Sequence, residues 1–65
     1  MIRLNGDSIS GCEGITVEEL VSRQNFVKSQ IAVEINGTII SKNDYETTHI
    51  QENDVVEVVS FVGGG

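Results

Sequence analysis

The sequence lacks tryptophan and proline and has one cysteine, one tyrosine and only four lysines and arginines. The lone thiol, Cys12, cannot close an internal disulfide and cannot by itself build a zinc site. Four bases against ten acids leave a net charge of −6. That balance disfavours a phosphate backbone, so nucleic acid is not an expected partner, and it favours a protein with a basic surface. No apolar run approaches the length of a membrane span, and the opening Met1-Ile2-Arg3-Leu4-Asn5-Gly6 lacks the charged start and apolar stretch of a secretory signal. A cytoplasmic protein with no membrane partner is the expectation.

What is present describes a small folded unit. An apolar share of 38% with 22% charged residues is ordinary for a globular chain. At 65 residues it is read as one domain with no room for a deep catalytic cleft.

Ile2 and Leu4 alternate with Arg3 and Asn5 at the period of a half-buried strand. Asn5-Gly6 then supplies a tight hairpin turn, with Ser8 to Ser10 as the returning strand. At Ile15 the period changes. Thr16 followed by Glu19 forms a capping-box pattern, and Ile15 with Leu20 occupies the hydrophobic-staple positions. Val17, Leu20 and Val21 share the apolar face of the helix that follows, and Asn25 suits a left-handed close. Ile31, Val33 and Ile35 alternate again, Asn36-Gly37 repeats the hairpin signal, and Ile39-Ile40 begins the return. Residues 41–49 read as polar connection. The last apolar segment, after Asp54, is β-branched and long enough for a strand covered on both sides for part of its length. The order strand, strand, helix, strand, strand, strand predicts an α+β fold with one short helix over a mixed sheet. It makes the first and last strands candidate parallel neighbours at the centre.

The two hairpins around one helix, the segment Ile35-Asn36-Gly37, the aromatic Tyr45 in a polar turn, Asp54, and Val56-Glu57-Val58 leading to Val62-Gly63-Gly64-Gly65 together resemble the ubiquitin-like sulfur carriers of the ThiS family. The resemblance spans essentially the whole chain. It departs from the family pattern where Ile40-Ser41-Lys42 replaces Val-Pro-Arg, Tyr45 replaces Trp, and Asn53 replaces Gly.

The resemblance implies a ubiquitin-like β-grasp fold with five strands, a domain over residues 1–62 and a Gly-rich tail at 63–65. It also implies a protein cosubstrate of thiamine biosynthesis with no catalytic residue, metal or bound cofactor of its own. In such carriers the C-terminal glycine, here Gly65, is adenylated by a ThiF-like enzyme that uses ATP. A sulfur donor protein then converts it to a thiocarboxylate, and a ThiG-like thiazole synthase takes the sulfur. Gly63, Gly64 and Gly65 would enter the partner's active site, for which a narrow segment without side chains is suited. Phe61 and Val62 are the expected partner-binding residues.

The same ending suits a MoaD-like small subunit of molybdopterin synthase, and a β-grasp interaction module with inert glycines is a third reading. A frayed terminus is the plainest account of a glycine run taken alone. Cys12 lies just before the helix, where a thiol can be activated, but no second Cys or nearby His accompanies it. His49 reads as a surface side chain, Tyr45 as a core residue, and Asp44, Glu46, Glu52, Asp54 and Glu57 as a patch for a basic partner or a solvated face.

Overall fold

The computed structural model describes residues 1–61 of the chain. Strands β1 (Ile2–Leu4) and β2 (Asp7–Ile9) form the first hairpin, and helix α1 (Val17–Arg23) follows. Strands β3 (Ile31–Ile35) and β4 (Thr38–Ile40) form the second hairpin, and β5 (Val55–Ser60) completes a single sheet of order β2-β1-β5-β3-β4. β5 runs parallel to β1 and antiparallel to β3, so the last strand sits at the centre, as its pattern suggested. With α1 packed across one face, this is the ubiquitin-like β-grasp arrangement.

Both hairpins turn on Asn-Gly pairs. Asn5 and Gly6 have φ of 50° and 90°, and Asn36 and Gly37 have 52° and 86°, the positive values at both central residues that a two-residue turn matching the strand twist requires. Because each turn holds only two residues, Leu4 pairs with Asp7 and Ile35 with Thr38. The return strands therefore start at Asp7 and Thr38, one residue before the starts expected from their apolar residues.

Each asparagine also does something the turn pattern did not foretell. The Asn5 side chain accepts from the Val58 amide (2.8 Å) and donates to the Val58 carbonyl (3.3 Å), while Asn36 Oδ1 accepts from the Val55 amide (2.9 Å). These bonds occupy β5 backbone groups beyond the end of β1 and beside the second turn. Buried or half-buried backbone groups left unpaired would be unfavourable, and the side chains continue the ladder where the strands stop.

The helix forms where the capping pattern placed it. Thr16 is the N-cap, its hydroxyl accepting from the Glu19 amide (3.1 Å). The Glu19 carboxylate does not complete the capping box; it pairs with Arg23 one turn on. The helix closes on Asn25 at φ 62°, with Phe26 N–H donating to Val21 (3.0 Å) and Asn25 N–H to Ser22 (3.1 Å), the paired bonds of a Schellman close.

Val17, Leu20 and Val21 of α1 meet Ile2, Leu4, Ile31, Val33, Val56 and Val58 of the sheet, and Cys12, Tyr45 and Ile50 close the ends of this core. A fully buried aliphatic side chain of this kind stabilises the fold by about 1.5–3 kcal/mol. The connection between β4 and β5, expected to be merely polar, is a built element. It holds a single 3-10 turn at Lys42–Asp44, and the carbonyls of Tyr45 and Thr48 accept from Glu18 N–H (3.0 Å) and Val17 N–H (2.9 Å), satisfying two free donors at the helix start.

One sequence expectation is overturned. β5 is not covered on both sides: Val56 and Val58 are buried under α1, while Val55, Glu57 and Val59 on the opposite face are exposed. A single seven-residue helix covers only one face of a five-stranded sheet, which leaves the other open.

Candidate functional site

The open face follows from strand alternation. Register places Arg3 beside Val55, Ile39 beside Glu34 beside Glu57, and Ala32 beside Val59, all on the side away from α1. Ile39 is 70% exposed, Val59 52% and Val55 44%, and Phe61, continuing the same alternation, is 59% exposed. Within this apolar field Glu34 and Glu57 stand directly opposite across an antiparallel pair, and like charges so placed repel. Two carboxylates side by side, on a face that also carries Arg3, suit a partner that brings a basic group.

β5 ends at Ser60, and Phe61 follows it. Its amide donates to the Gln30 carbonyl (3.1 Å), which extends the β3–β5 ladder by one step. The Lys42 ammonium lies 5.0 Å from the centroid of the Phe61 ring and donates to the Ile31 carbonyl (2.9 Å). Lys42 reaches this place because β4 ends at Ile40 and the following turn is capped by the Ser41 hydroxyl, which accepts from the Asn43 amide (3.3 Å). Of the residues expected at the site, Phe61 is thus exposed at the end of the central strand. Val62, Gly63, Gly64 and Gly65, with the expected domain boundary at 62, lie outside the described residues.

The other singled-out residues separate. Cys12 is buried in the core at 4% exposure, packed in the apolar cluster. His49 is exposed, its Nδ1 2.9 Å from the Gly14 carbonyl. Two of the five acids are engaged locally. Asp54 is taken up locally, accepting from Asn36 Nδ2 (2.9 Å) and the Gln51 amide (2.8 Å). Glu52 faces the N-terminal ammonium at 2.9 Å, which draws its carboxyl below the ordinary range. Glu57 alone joins the open face. Val55, Val59, Ile39, Glu34 and Lys42 were not identified from sequence as site residues; the odd-numbered alternation of Val55, Glu57 and Val59 carried the signal, but it was read as two-sided burial.

On the helix side, Tyr45 is fully buried beneath Lys28, whose ammonium lies 5.2 Å from the ring centroid and 2.7 Å from Glu18. The Glu18 hydrogen bond raises the Lys28 pKa. Burial raises that of Tyr45; the nearby Val33 backbone and Lys28 oppose the shift only in part, and the phenolic oxygen has no partner at hydrogen-bond geometry. Among the described residues there is no pocket, no group of three or more potential metal ligands, and no helix long and apolar enough to cross a membrane.

The crystal structure of the thiamine biosynthesis protein ThiS from Geobacter metallireducens matches with a TM-score of 0.80 at 30% identity, over 98% of this chain and 97% of that one. A thiazole synthase of Magnetococcus marinus is 39% identical over 64 residues, a match that takes in 98% of this chain but only 20% of the synthase. The sulfur carrier protein ThiS of Bacillus subtilis is 33% identical over 66 residues, 100% of each chain. The ThiS family model matches residues 2–65, and the chain belongs to the ThiS family.

Proposed function

We propose that this chain is a sulfur carrier of thiamine biosynthesis, a protein cosubstrate whose Gly65 carboxylate is the reacting group. The reading rests above all on the full-length match to the Bacillus subtilis sulfur carrier. It is supported by an exposed apolar face that runs along β5 to Phe61, four residues before Gly65.

The chemistry proceeds in two displacements. A carboxylate oxygen of Gly65 attacks the α-phosphorus of ATP in the site of a ThiF-like adenylating enzyme, and pyrophosphate departs with the bonding electrons. A sulfur nucleophile at the sulfide oxidation level, delivered by a donor protein, then attacks the acyl carbon. The C–S bond forms, the C–O bond to phosphate breaks, and AMP leaves with that electron pair. ATP is thus consumed by the partner, and the carrier ends as a thiocarboxylate.

The carrier's contribution is docking and delivery. The open face supplies apolar contact through Ile39, Val55, Val59 and Phe61, and Glu34 with Glu57 favours a partner that brings Arg or Lys. A ThiG-like thiazole synthase is the proposed acceptor. The Magnetococcus marinus thiazole synthase, which contains a stretch similar to this chain, supports that pairing.

The test is fragment mass spectrometry after incubation with ATP, the adenylating enzyme and a sulfur donor. Exchange of oxygen for sulfur and oxidation of Met1 or Cys12 change the mass almost equally, so fragmentation must place the change on Gly65, with alkylation of the new sulfur as a check. Deletion of Gly64 and Gly65 is expected to abolish the product and leave the fold intact. An unmodified Gly65, with an enzyme active on another carrier, overturns the reading and leaves an interaction module.

A further inference from the structure

We propose that Lys42 is a positioning residue for the reaction at Gly65, acting by fixing Phe61, the point from which the chain continues into Val62–Gly65. The inference rests on the sulfur-carrier reading and deepens it.

Phe61 is 59% exposed, so burial does not hold its ring. Two other contacts do. Its amide is tied to the Gln30 carbonyl at 3.1 Å, and its ring lies under the Lys42 ammonium at 5.0 Å. Lys42 is itself fixed, because the same ammonium donates to the Ile31 carbonyl at 2.9 Å and its own turn is capped by Ser41. Gln30 and Ile31 lead into and begin β3, the neighbour of β5, so backbone and side chain both hold Phe61 to one edge of that strand. Lys42 thereby presents the phenylalanine ring on the open face in a preset position.

An anchor that is preset before docking reduces the ordering required on binding. Its loss should therefore weaken association and leave the chemical step, four residues further on, unaffected. Lys42→Met keeps an apolar stem and removes the charge; Lys42→Arg keeps the charge and stacks on the ring. Neither touches the core, and thermal melts will show that both variants fold.

The experiment is ATP–pyrophosphate exchange by the adenylating enzyme with carrier as the varied substrate, beside the 15N order parameter of the Phe61 amide in free carrier. For Lys42→Met the apparent KM is expected to rise about two- to fivefold, the fold-change a single exposed cation–π contact supports, with kcat unchanged. The Phe61 order parameter should fall, and Lys42→Arg should restore both. An unchanged or lowered KM, an unchanged order parameter, or a defect in kcat that Arg does not repair overturns the positioning role. Failure of the wild-type carrier to be adenylated overturns the carrier reading itself, and is distinct from a wild type that reacts normally beside an indifferent Lys42→Met.

Discussion

Tyr45→Phe should make the protein more stable. Tyr45 is fully buried, and its hydroxyl is shut off from solvent with no hydrogen-bond partner. An unsatisfied buried polar group destabilises by about 1–3 kcal/mol, so removing the oxygen recovers part of that and forfeits no bond. The ring, its packing and the overlying Lys28 ammonium at 5.2 Å are retained in the variant. A gain of about 1 kcal/mol corresponds to a rise in Tm of about 4–8 °C for a domain of this size. Urea titration followed by circular dichroism measures it. A loss of about 1 kcal/mol would refute the reasoning, because it would mean that the hydroxyl is bonded, with the Val33 backbone as the first suspect.

The same residue gives the stability a pH dependence with a definite sign. Burial raises the Tyr45 pKa above its ordinary value, so in strong base the folded chain holds a proton that the unfolded chain has lost. The contribution is fully present below the unfolded pKa of about 10 and is lost as pH climbs from there through the folded value. Since Tyr45 is the single tyrosine and there is no tryptophan, phenolate absorbance reports this one group. The phenolate of folded wild-type protein should appear at higher pH than that of the urea-unfolded chain, and Tyr45→Phe should be less sensitive to pH in that range.

Three further outcomes follow from the same geometry. Thr16→Ala removes the acceptor for the Glu19 amide and should lower stability by about 1 kcal/mol, read from the urea midpoint at unchanged slope. Asn36→Ala loses its bonds to Asp54 and to the Val55 amide and puts a Cβ residue without compensation at φ 52°; a loss of about 1–3 kcal/mol is expected, seen with faster amide exchange at Val55. Glu57→Lys turns the repulsive pair with Glu34 into an attractive one and should stabilise the free domain by about 0.2–1 kcal/mol while raising the apparent KM for the adenylating enzyme; a variant that gains in both would remove the basic-partner argument.

Local chemistry was the part most legible in sequence. Asn5-Gly6 and Asn36-Gly37 fix turns through backbone angles that few other pairs adopt, and Thr16 with Asn25 brackets the helix through bonds made within a few residues. Side-chain roles set by distant segments were not legible. That Asn5 would reach Val58, 53 residues on, depends on β5 entering beside β1 and continuing past its end. The connection before β5 was legible only in part: Tyr45 reads as a core residue and is buried, but the service of the Tyr45 and Thr48 carbonyls to the helix start depends on α1 lying beside them. The run Val55, Val56, Val58 and Val59 looks equally apolar on both sides, and only the coverage by one short helix decides which valines are buried.

That last ambiguity bears on the function. A β-branched run is favoured in the central strand, where neighbours pair on both sides and β-branched side chains pack well. The same composition, left uncovered on one face, provides apolar contact for another protein without any separate binding motif. Central pairing also holds β5 from both edges, and the Phe61–Gln30 bond carries that hold to the last described residue. The point of departure for residues 62–65 is therefore fixed relative to the face that would dock. If so, substitutions on the open face at Ile39 or Val59 and substitutions at Lys42 should both raise the apparent KM. The effects of Val59 and Lys42, which act on adjoining parts of one surface, should fall short of additivity when combined.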